Sequence, residues 1–209
     1  MLEMASSGSK VMQSRSVEFA KKYGVVFEVC SSLNNNPGTL VTEEHPTMEA
    51  VVIRGASIER SQARVTITDI PDNPGNSATI LGALADAEIN VDMIVSNIAS
   101  NGLARHSFTM HTNDLGRAQA ALKPVLGVLS KDAQIETEAG LAKLSTVGIG
   151  MRSHSGVAAK MFKALGDAGI NIGMISTSEI KISVTVEESD IEEAARLVHE
   201  AFDLDKKPA

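Results

Sequence analysis

The sequence has 209 residues, of which 43% are hydrophobic and 22% are charged, and its formal net charge at pH 7 is -7. This composition is typical of a globular protein with one or two domains. The acidic balance and the aromatic content of 3% argue against a nucleic-acid-binding surface. No apolar run approaches the roughly 20 residues that a membrane helix needs. We therefore expect neither nucleic acid nor a membrane as a partner, and we expect a cytoplasmic location.

Residues 1–48 differ from the rest of the chain, because they are rich in Ser, Asn and Gly. Their pattern predicts a short helix over 16–23, a strand over 25–30 and a turn over 34–38. From residue 50 onward the apolar periodicity becomes regular. The next predicted elements are strands over 51–57 and 63–70, then a loop over 71–75 and a helix over 77–87 with Ile80, Leu81, Leu84 and Ala87 on one face.

After this helix, two strands over 91–98 and 103–111 are joined across an Asn-Gly pair, which is a strong hairpin signal. Asn113 is predicted to cap a second helix that runs to about residue 129, and a strand over 133–138 follows. The remaining predicted elements are a strand over 141–149, a loop over 150–155, a helix over 157–168, strands over 172–177 and 180–186, and a helix capped by Ser189 or Asp190 that runs to about 202.

One stretch of the chain occurs twice, 81 residues apart: ALADAEIN over 83–90 and ALGDAGIN over 164–171 match at six of eight positions. A repeat of this length corresponds to a whole small domain. The element order predicts an α+β fold of two tandem ferredoxin-like βαββαβ modules. The second module lacks a closing strand of its own, and the strand over 51–57 is predicted to complete its sheet.

The two loops between strand and helix, residues 72–77 and 152–157, carry most of the chemical content. A helix N-terminus offers free amide groups to a carboxylate, and an aspartate such as Asp72 can accept an ammonium group. The pair of features matches the two ends of a free amino acid. The alternative interpretation is that Asp72, Asn73 and Ser153 only cap helices, and that Pro74 and Gly75 only turn the chain.

Other kinds of site have little support. The glycines at 148, 150 and 156 do not fit the spacing of a dinucleotide-binding loop. The five histidines do not have metal-ligand spacing, and His106 and His111 are expected on opposite faces of one strand. Cys30 is expected to be a small buried hydrophobic residue rather than a nucleophile. We therefore predict no metal, no cofactor and no catalytic residue.

Several strings resemble the regulatory region of aspartate kinases, which is a tandem of ACT domains. They are DIPDNPG (69–75), INVDMI (89–94), GMRSH (150–154) and, above all, NIGMISTSEIKISV (171–184). Residues 2–42 resemble the last helix and strand of the kinase catalytic domain, with Lys10 at the position of a lysine near the nucleotide phosphates. The resemblance implies three parts: a kinase-type tail and linker over 1–48, a first ACT domain with its preceding strand over 49–139, and a second ACT domain over 140–205.

The phosphate-binding motif and the aspartate-binding residues of these kinases have no counterpart here, so the resemblance implies a chain that is inactive alone. It implies a regulatory subunit that mediates feedback inhibition by threonine and/or lysine, as a homodimer through its ACT domains and in association with a full-length kinase α-subunit. The alternative function is a free-standing ACT-domain sensor that regulates another enzyme or a transcription factor.

By the same resemblance, the effector binds between the first ACT domain of one chain and the second ACT domain of its partner. The residues implied are Asp72, Asn73, Pro74, Gly75, Ser77, Ser96 and Asn97 in the first domain, and Asn171, Ile172, Thr177, Ser178 and Glu179 in the second. Positions 96, 99 and 155 depart from the usual pattern, with Ser96 in place of Gln, Ala99 in place of a small polar residue and Ser155 in place of Pro.

Overall fold

The structure, a computed structural model, describes residues 1–9, 12–42, 53–99, 102–148 and 156–206. Its N-terminal segment contains two helices and a two-stranded antiparallel sheet: α1 (Leu2–Ser6), α2 (Ser14–Lys22), β1 (Phe27–Val29) and β2 (Thr39–Val41). The rest contains α3 (Asn76–Asp86), α4 (Leu115–Leu129), α5 (Val157–Asp167) and α6 (Ile191–Ala201). Its strands are β3 (Ile53–Pro71), β4 (Ile94–Ile98), β5 (Leu103–His111), β6 (Gln134–Gly148), β7 (Ile175–Thr177) and β8 (Lys181–Glu187).

These six strands form one antiparallel sheet in the order β4-β5-β3-β6-β8-β7. The two central strands, β3 and β6, are long enough to serve both modules. The second half of β3 pairs with β5 and with the first half of β6, while its first half pairs with the second half of β6. Each module therefore has four strands and two helices, which confirms the predicted ferredoxin-like fold.

The predicted strand over 51–57 does complete the second sheet, because Ile53 lies opposite Gly148 and Ser57 opposite Ser145. Two other details of the prediction were wrong. The strands predicted over 51–57 and 63–70 are one continuous strand, and so are those predicted over 133–138 and 141–149. The predicted domain boundary between residues 139 and 140 falls inside β6.

An irregularity in each central strand marks the junction of the two modules. Ser61 in β3 has a φ of 56°, Gly140 in β6 has a φ of 78°, and the pairing register between the strands shifts nearby. Such bulges add a residue and bend a strand without ending it. They let the apolar side chains of both halves face their own pair of helices.

Each module buries its own apolar core between its helices and its sheet. The first core contains Val65, Ile67, Ile70, Ile80, Leu84, Phe108, Met110, Ala118, Leu122 and Leu126. The second core contains Ala142, Leu144, Val157, Met161, Leu165, Ile182, Val184, Val186, Ile191, Ala194 and Val198. The predicted buried face of α3 is confirmed, since Ile80 and Leu84 are 1% exposed and Leu81 and Ala87 pack beside them.

The sequence repeat is also a repeat of backbone conformation. Gly75 and Gly156 are the N-cap residues of α3 and α5, with φ values of 96° and 97°, in the left-handed region that favours glycine. Eighty-one residues also separate Glu88 and Gly169, which follow the C-caps of the two helices with φ values of 54° and 75°. The same local geometry therefore presents a strand-to-helix loop twice.

Two further predictions need correction. Asn113 does not cap α4: a 3-10 turn over Thr112–Asp114 comes first, and the ring nitrogen Nδ1 of His111 accepts the Asn113 amide at 3.2 Å. Cys30 is exposed rather than buried. It lies in the N-terminal segment, where large apolar side chains also face solvent: Phe19, Tyr23, Val25, Val26, Leu33 and Leu40.

Candidate effector site

The loop from Pro71 to Asn76 is held by its own backbone and by one side chain. The amide of Asn73 donates to the carbonyl of Pro71 at 2.9 Å, and Nδ2 of Asn76 donates to the same carbonyl at 2.8 Å. No side chain caps α3, whose N-cap is Gly75. The capping role considered for Asp72 and Asn73 is therefore wrong, whereas Gly75 does turn the chain.

The start of α3 leaves two donors open. The Asn76 amide bonds the carbonyl of Asn73 at 3.3 Å, and the first bond within the helix runs from Thr79 to Gly75 at 2.9 Å. Between them, the amides of Ser77 and Ala78 have no acceptor among the residues that the structure describes. Such amides and the positive end of the helix dipole favour an anion. Asp72 lies earlier in the same loop, is exposed and makes no side-chain hydrogen bond in the described part of the chain.

His106 adjoins this loop and was not predicted as part of the site. It lies on β5 with a relative exposure of 7%, opposite Ile67 of β3 and Ser96 of β4. Burial lowers the pKa of His106 below its ordinary value of 6.5, while the charge of Asp72 opposes this shift. The sequence did contain a signal for the burial of His106. In the alternating strand β5, His106 lies between Ala104 and Phe108 on the face that the apolar residues predict to be buried.

The predicted residues of β4 point in different directions. Ser96 lies on the same face as His106, whereas its neighbour Asn97 pairs with Arg105 and lies on the other face. Both are exposed, because β4 is an edge strand. The structure thus brings Asp72 and Ser96 together around His106, and it leaves Asn97 outside this group.

The predicted residues of the second module surround β7. Asn171 and Ile172 precede it, Thr177 ends it, and Ser178 and Glu179 form the turn into β8. This turn is closed by the Ser178 amide, which donates to the carbonyl of Lys181 at 2.7 Å. All of these residues are exposed except Ile172, which packs partly against the second core.

The two groups of predicted residues lie at opposite edges of the sheet. β4 is the outermost strand on one side and β7 on the other, with β5, β3, β6 and β8 between them. One chain therefore cannot bring the two groups into one site. Their union requires a second chain. The predicted second loop over 150–155 and Lys10 lie outside the described residues.

Other chemistry finds no support in the described ranges. They contain no group of three or more His, Cys, Asp or Glu residues that could hold a metal ion. His106 and His111 lie on opposite faces of β5, as predicted: His106 is buried and His111 is exposed. Among the helices that the structure describes, none is long and apolar enough to span a membrane.

Comparisons with known proteins agree with this architecture. The sequence profile of the ACT domain family matches residues 144–202. The aspartate kinase of Stutzerimonas stutzeri strain A1501 is 48% identical over 206 residues, which are 98% of this chain and 50% of that protein. A solved structure of aspartokinase alpha and beta subunits contains a chain that is 44% identical, with a TM-score of 0.66, over 73% of this chain and 99% of that one. The ligand-free regulatory subunit of aspartate kinase from Thermus thermophilus is 36% identical, with a TM-score of 0.67, over 72% of this chain and 99% of that subunit.

The chain belongs to the aspartate kinase family. The two solved chains that it covers almost completely place its ACT modules in the regulatory region of that family. The chain spans about half the length of the curated aspartate kinases that it matches.

Proposed function

We propose that this chain is a regulatory, amino-acid-binding subunit of aspartate kinase that mediates feedback inhibition by threonine and/or lysine. The observation that carries the proposal is the loop before α3. There the exposed carboxylate of Asp72, which has no hydrogen-bond partner among the described residues, precedes the open amides of Ser77 and Ala78 by a few positions in the chain. A free amino acid presents an ammonium group, which a carboxylate binds, and a carboxylate, which open helix amides bind.

Two features support association with other chains. The predicted binding residues lie on both edges of the sheet, and such edges are usually paired or covered. A twofold dimer would place β4 of one chain beside β7 of its partner. In the N-terminal segment, Tyr23 is 67% exposed, Leu33 93% and Leu40 64%. Exposed apolar side chains in one segment favour a protein partner, and the kinase α-subunit is the partner that we propose.

Residues 2–42 also favour this function over that of a free-standing sensor that regulates another enzyme or a transcription factor. The match to the Stutzerimonas stutzeri kinase covers 98% of the chain and so includes this segment as well as the ACT modules. We expect the chain alone to form no aspartyl phosphate from aspartate and ATP. The proposed place of action is the cytoplasm.

Calorimetric titration of the chain with threonine and with lysine tests the proposal. Asp72→Ala removes a charge-assisted hydrogen bond worth about 1.5 to 3 kcal/mol, so we expect a loss of roughly 10- to 150-fold in affinity. The melting temperature without ligand should change little, because Asp72 caps no helix.

Asp132→Ala is the matched control, since Asp132 is an exposed carboxylate in a turn of the same module. It should bind as the wild type does. Equal affinity of the Asp72→Ala and wild-type chains would exclude the proposed role of the carboxylate.

A further inference from the structure

The N-terminal segment rests on the second module through α1. Met4 packs against Gly55 of β3, where an added Cβ atom would lie 2.7 Å from Cε of Met4. A Cβ atom on Gly8, which follows α1, would lie 2.3 Å from the carbonyl oxygen of Ile58. Ser7, the residue before Gly8, is 1% exposed. The two glycines therefore let α1 lie directly against β3.

A second contact joins α1 to the effector turn, by which we mean residues 177–180 between β7 and β8. Nζ of Lys181 lies 3.6 Å from Oε2 of Glu3, and the two side chains are only 28% and 33% exposed. The backbone carbonyl of Lys181 accepts the Ser178 amide at 2.7 Å. Lys181 therefore holds the effector turn with its backbone and the N-terminal segment with its side chain.

A cavity beside this contact leaves α1 loosely packed. Its volume is about 540 Å³, and its lining includes Leu2 and Met4 of α1, Val17 of α2, Val147 of β6 and Ile180 of the effector turn. A junction with this much unfilled space opens at a lower free energy than a close-packed core does. We therefore expect α1 to exchange between a docked and an undocked state while both modules stay folded.

A ligand at the effector turn changes the balance between these two states. Thr177, Ser178 and Glu179 are exposed. An amino acid that contacts them restricts the turn, and with it the backbone of Lys181, so that the ion pair with Glu3 costs less conformational entropy to form. The ligand therefore favours the docked state of α1. Because such coupling is reciprocal, undocking of α1 must weaken ligand binding by the same factor.

We propose that Lys181 couples the effector site to the N-terminal segment: an amino acid bound at the effector turn holds α1 on the sheet through the pair of Lys181 with Glu3. This inference rests on the proposed function. Lys181 is a positioning residue, because it acts through the turn and through Glu3. The segment that presents exposed apolar side chains to the proposed kinase partner thereby responds to the occupancy of the effector site.

Thiol labelling of a Ser7→Cys chain measures the docking of α1, since position 7 is buried when α1 lies on the sheet. The chain also carries Cys30→Ser, because Cys30 is exposed and is the single cysteine of the sequence. We expect saturation with L-threonine or L-lysine to slow labelling by an aromatic disulfide reagent about 2- to 5-fold, the effect of one partly exposed ion pair. Glu3→Gln or Lys181→Met should abolish this slowing. Lys163→Met, which removes an exposed ion pair of α5, should keep it.

Calorimetric titration with the same amino acids measures the reverse effect. Gly8→Ala forces α1 away from Ile58, and Glu3→Gln removes the ion pair without altering the second module. Each variant should bind about 2- to 5-fold more weakly than the wild type. The double variant should bind no more weakly than Gly8→Ala, because one coupling is lost only once. Gly24→Ala is the matched control: Gly24 has a φ of 62°, no atom lies within 4 Å of the added Cβ, and binding should be unchanged.

The outcomes separate the inference from the function on which it rests. If the ligand leaves the labelling rate unchanged, if Lys181→Met keeps the slowing, or if Gly8→Ala or Glu3→Gln binds as the wild type does, the inference is wrong while amino-acid binding stands. Loss of binding in Asp72→Ala supports the proposed function in either case. If the wild type binds neither amino acid, the proposed function and the inference are both overturned.

Discussion

Lys143 carries its charge on a side chain that is only 4% exposed, on the face of β6 away from the helices. Its Nζ lies 2.7 Å from Oε2 of Glu59 and also donates to Asp92. Glu59 belongs to the first half of β3, and Asp92 precedes β4 in the first module. The ion pairs therefore tie a strand of the second module to the segment that leads into the proposed binding edge.

Replacing Lys143 with methionine should cost about 1 to 3 kcal/mol, because two charge-assisted hydrogen bonds are lost while both carboxylates keep some access to water. Lys163→Met is the matched control. Lys163 pairs with Asp167 on the exposed surface of α5, and such a pair contributes about 0.5 kcal/mol or less. Urea denaturation of both variants measures the difference, and equal losses would contradict the structural role of Lys143.

The same ion pairs predict a dependence of stability on alkaline pH. Burial alone would lower the pKa of Lys143, but the hydrogen bonds and charges of Asp92 and Glu59 outweigh it and raise the pKa above 10.5. The stabilisation is therefore complete below pH 10.5 and is lost as the pH rises through the higher pKa of the folded state. Above that pH, the stability difference between the wild type and Lys143→Met should shrink. A stability difference between the two chains that stays constant up to pH 12 would contradict this prediction.

Glu88 adopts the left-handed conformation that glycine adopts at the matching position of the second module. Its φ is 54°, and that of Gly169 is 75°. Both residues follow a helix and make the same type of backbone hydrogen bond: the Glu88 amide donates to the carbonyl of Ala85, and the Gly169 amide donates to the carbonyl of Gly166. A residue with a Cβ atom is strained in this region. Glu88→Gly should therefore stabilise the chain by up to about 1 kcal/mol.

Gly169→Ala provides the reverse test. No atom lies within 4 Å of the added Cβ, so that only the backbone strain opposes it. We expect a loss of about 1 kcal/mol, measured as a shift of the midpoint of urea denaturation. Shifts of the same sign in both variants would show that the backbone conformation is not their cause.

The residues of the loop before α3 were predictable because turn chemistry is local. Pro74 and Gly75 break the strand pattern, and their positions decide where the amides of α3 become free. His106 was missed because its surroundings depend on register: the pairing of β5 with β4 places it opposite Ser96, and the charge of Asp72 acts on its pKa. The prediction that Asn113 caps α4 was wrong because a 3-10 turn over Thr112–Asp114 shifts the start of α4 to Leu115.

At the scale of elements, the sequence predicted most helices and strands but not the continuity of β3 and β6. Residues 59–62 are Glu-Arg-Ser-Gln, so the apolar alternation that identifies a strand stops there. The structure carries the strand through this point with a bulge at Ser61, next to the pair that Gln62 of β3 forms with Leu141 of β6. Pairing between residues some 80 positions apart is a tertiary effect that no local pattern contains.

The continuous strands predict that the two modules unfold together. β3 has 19 residues and β6 has 15, and each contributes to both cores. Loss of one module would expose the inner strands of the other, so a single cooperative transition is expected. In calorimetry, the measured and van't Hoff enthalpies should agree, and Gly140→Ala should shift the one transition to lower temperature. Two resolved transitions would contradict this expectation.

At the scale of the whole molecule, the exposed apolar side chains and the split site describe a chain suited to association. The N-terminal segment presents Tyr23, Leu33 and Leu40 to solvent, while β4 and β7 leave both edges of the sheet open. The resemblance of the sequence to known kinases implies both partners. The geometry adds a physical reason, because the predicted effector residues of one chain lie at edges that it cannot join.

The last prediction tests whether each site is shared by two chains. Asp72→Ala impairs the module 1 half of a site, and Thr177→Val impairs the half on β7, so a homodimer of either variant has two defective sites. In a mixed dimer, one site carries both defects and the other carries neither, because the two altered residues lie on different chains. Co-expression with two affinity tags yields the mixed dimer, and calorimetry should show wild-type threonine affinity at half the wild-type stoichiometry. A mixed dimer that binds no better than its parents would mean that each site belongs to a single chain.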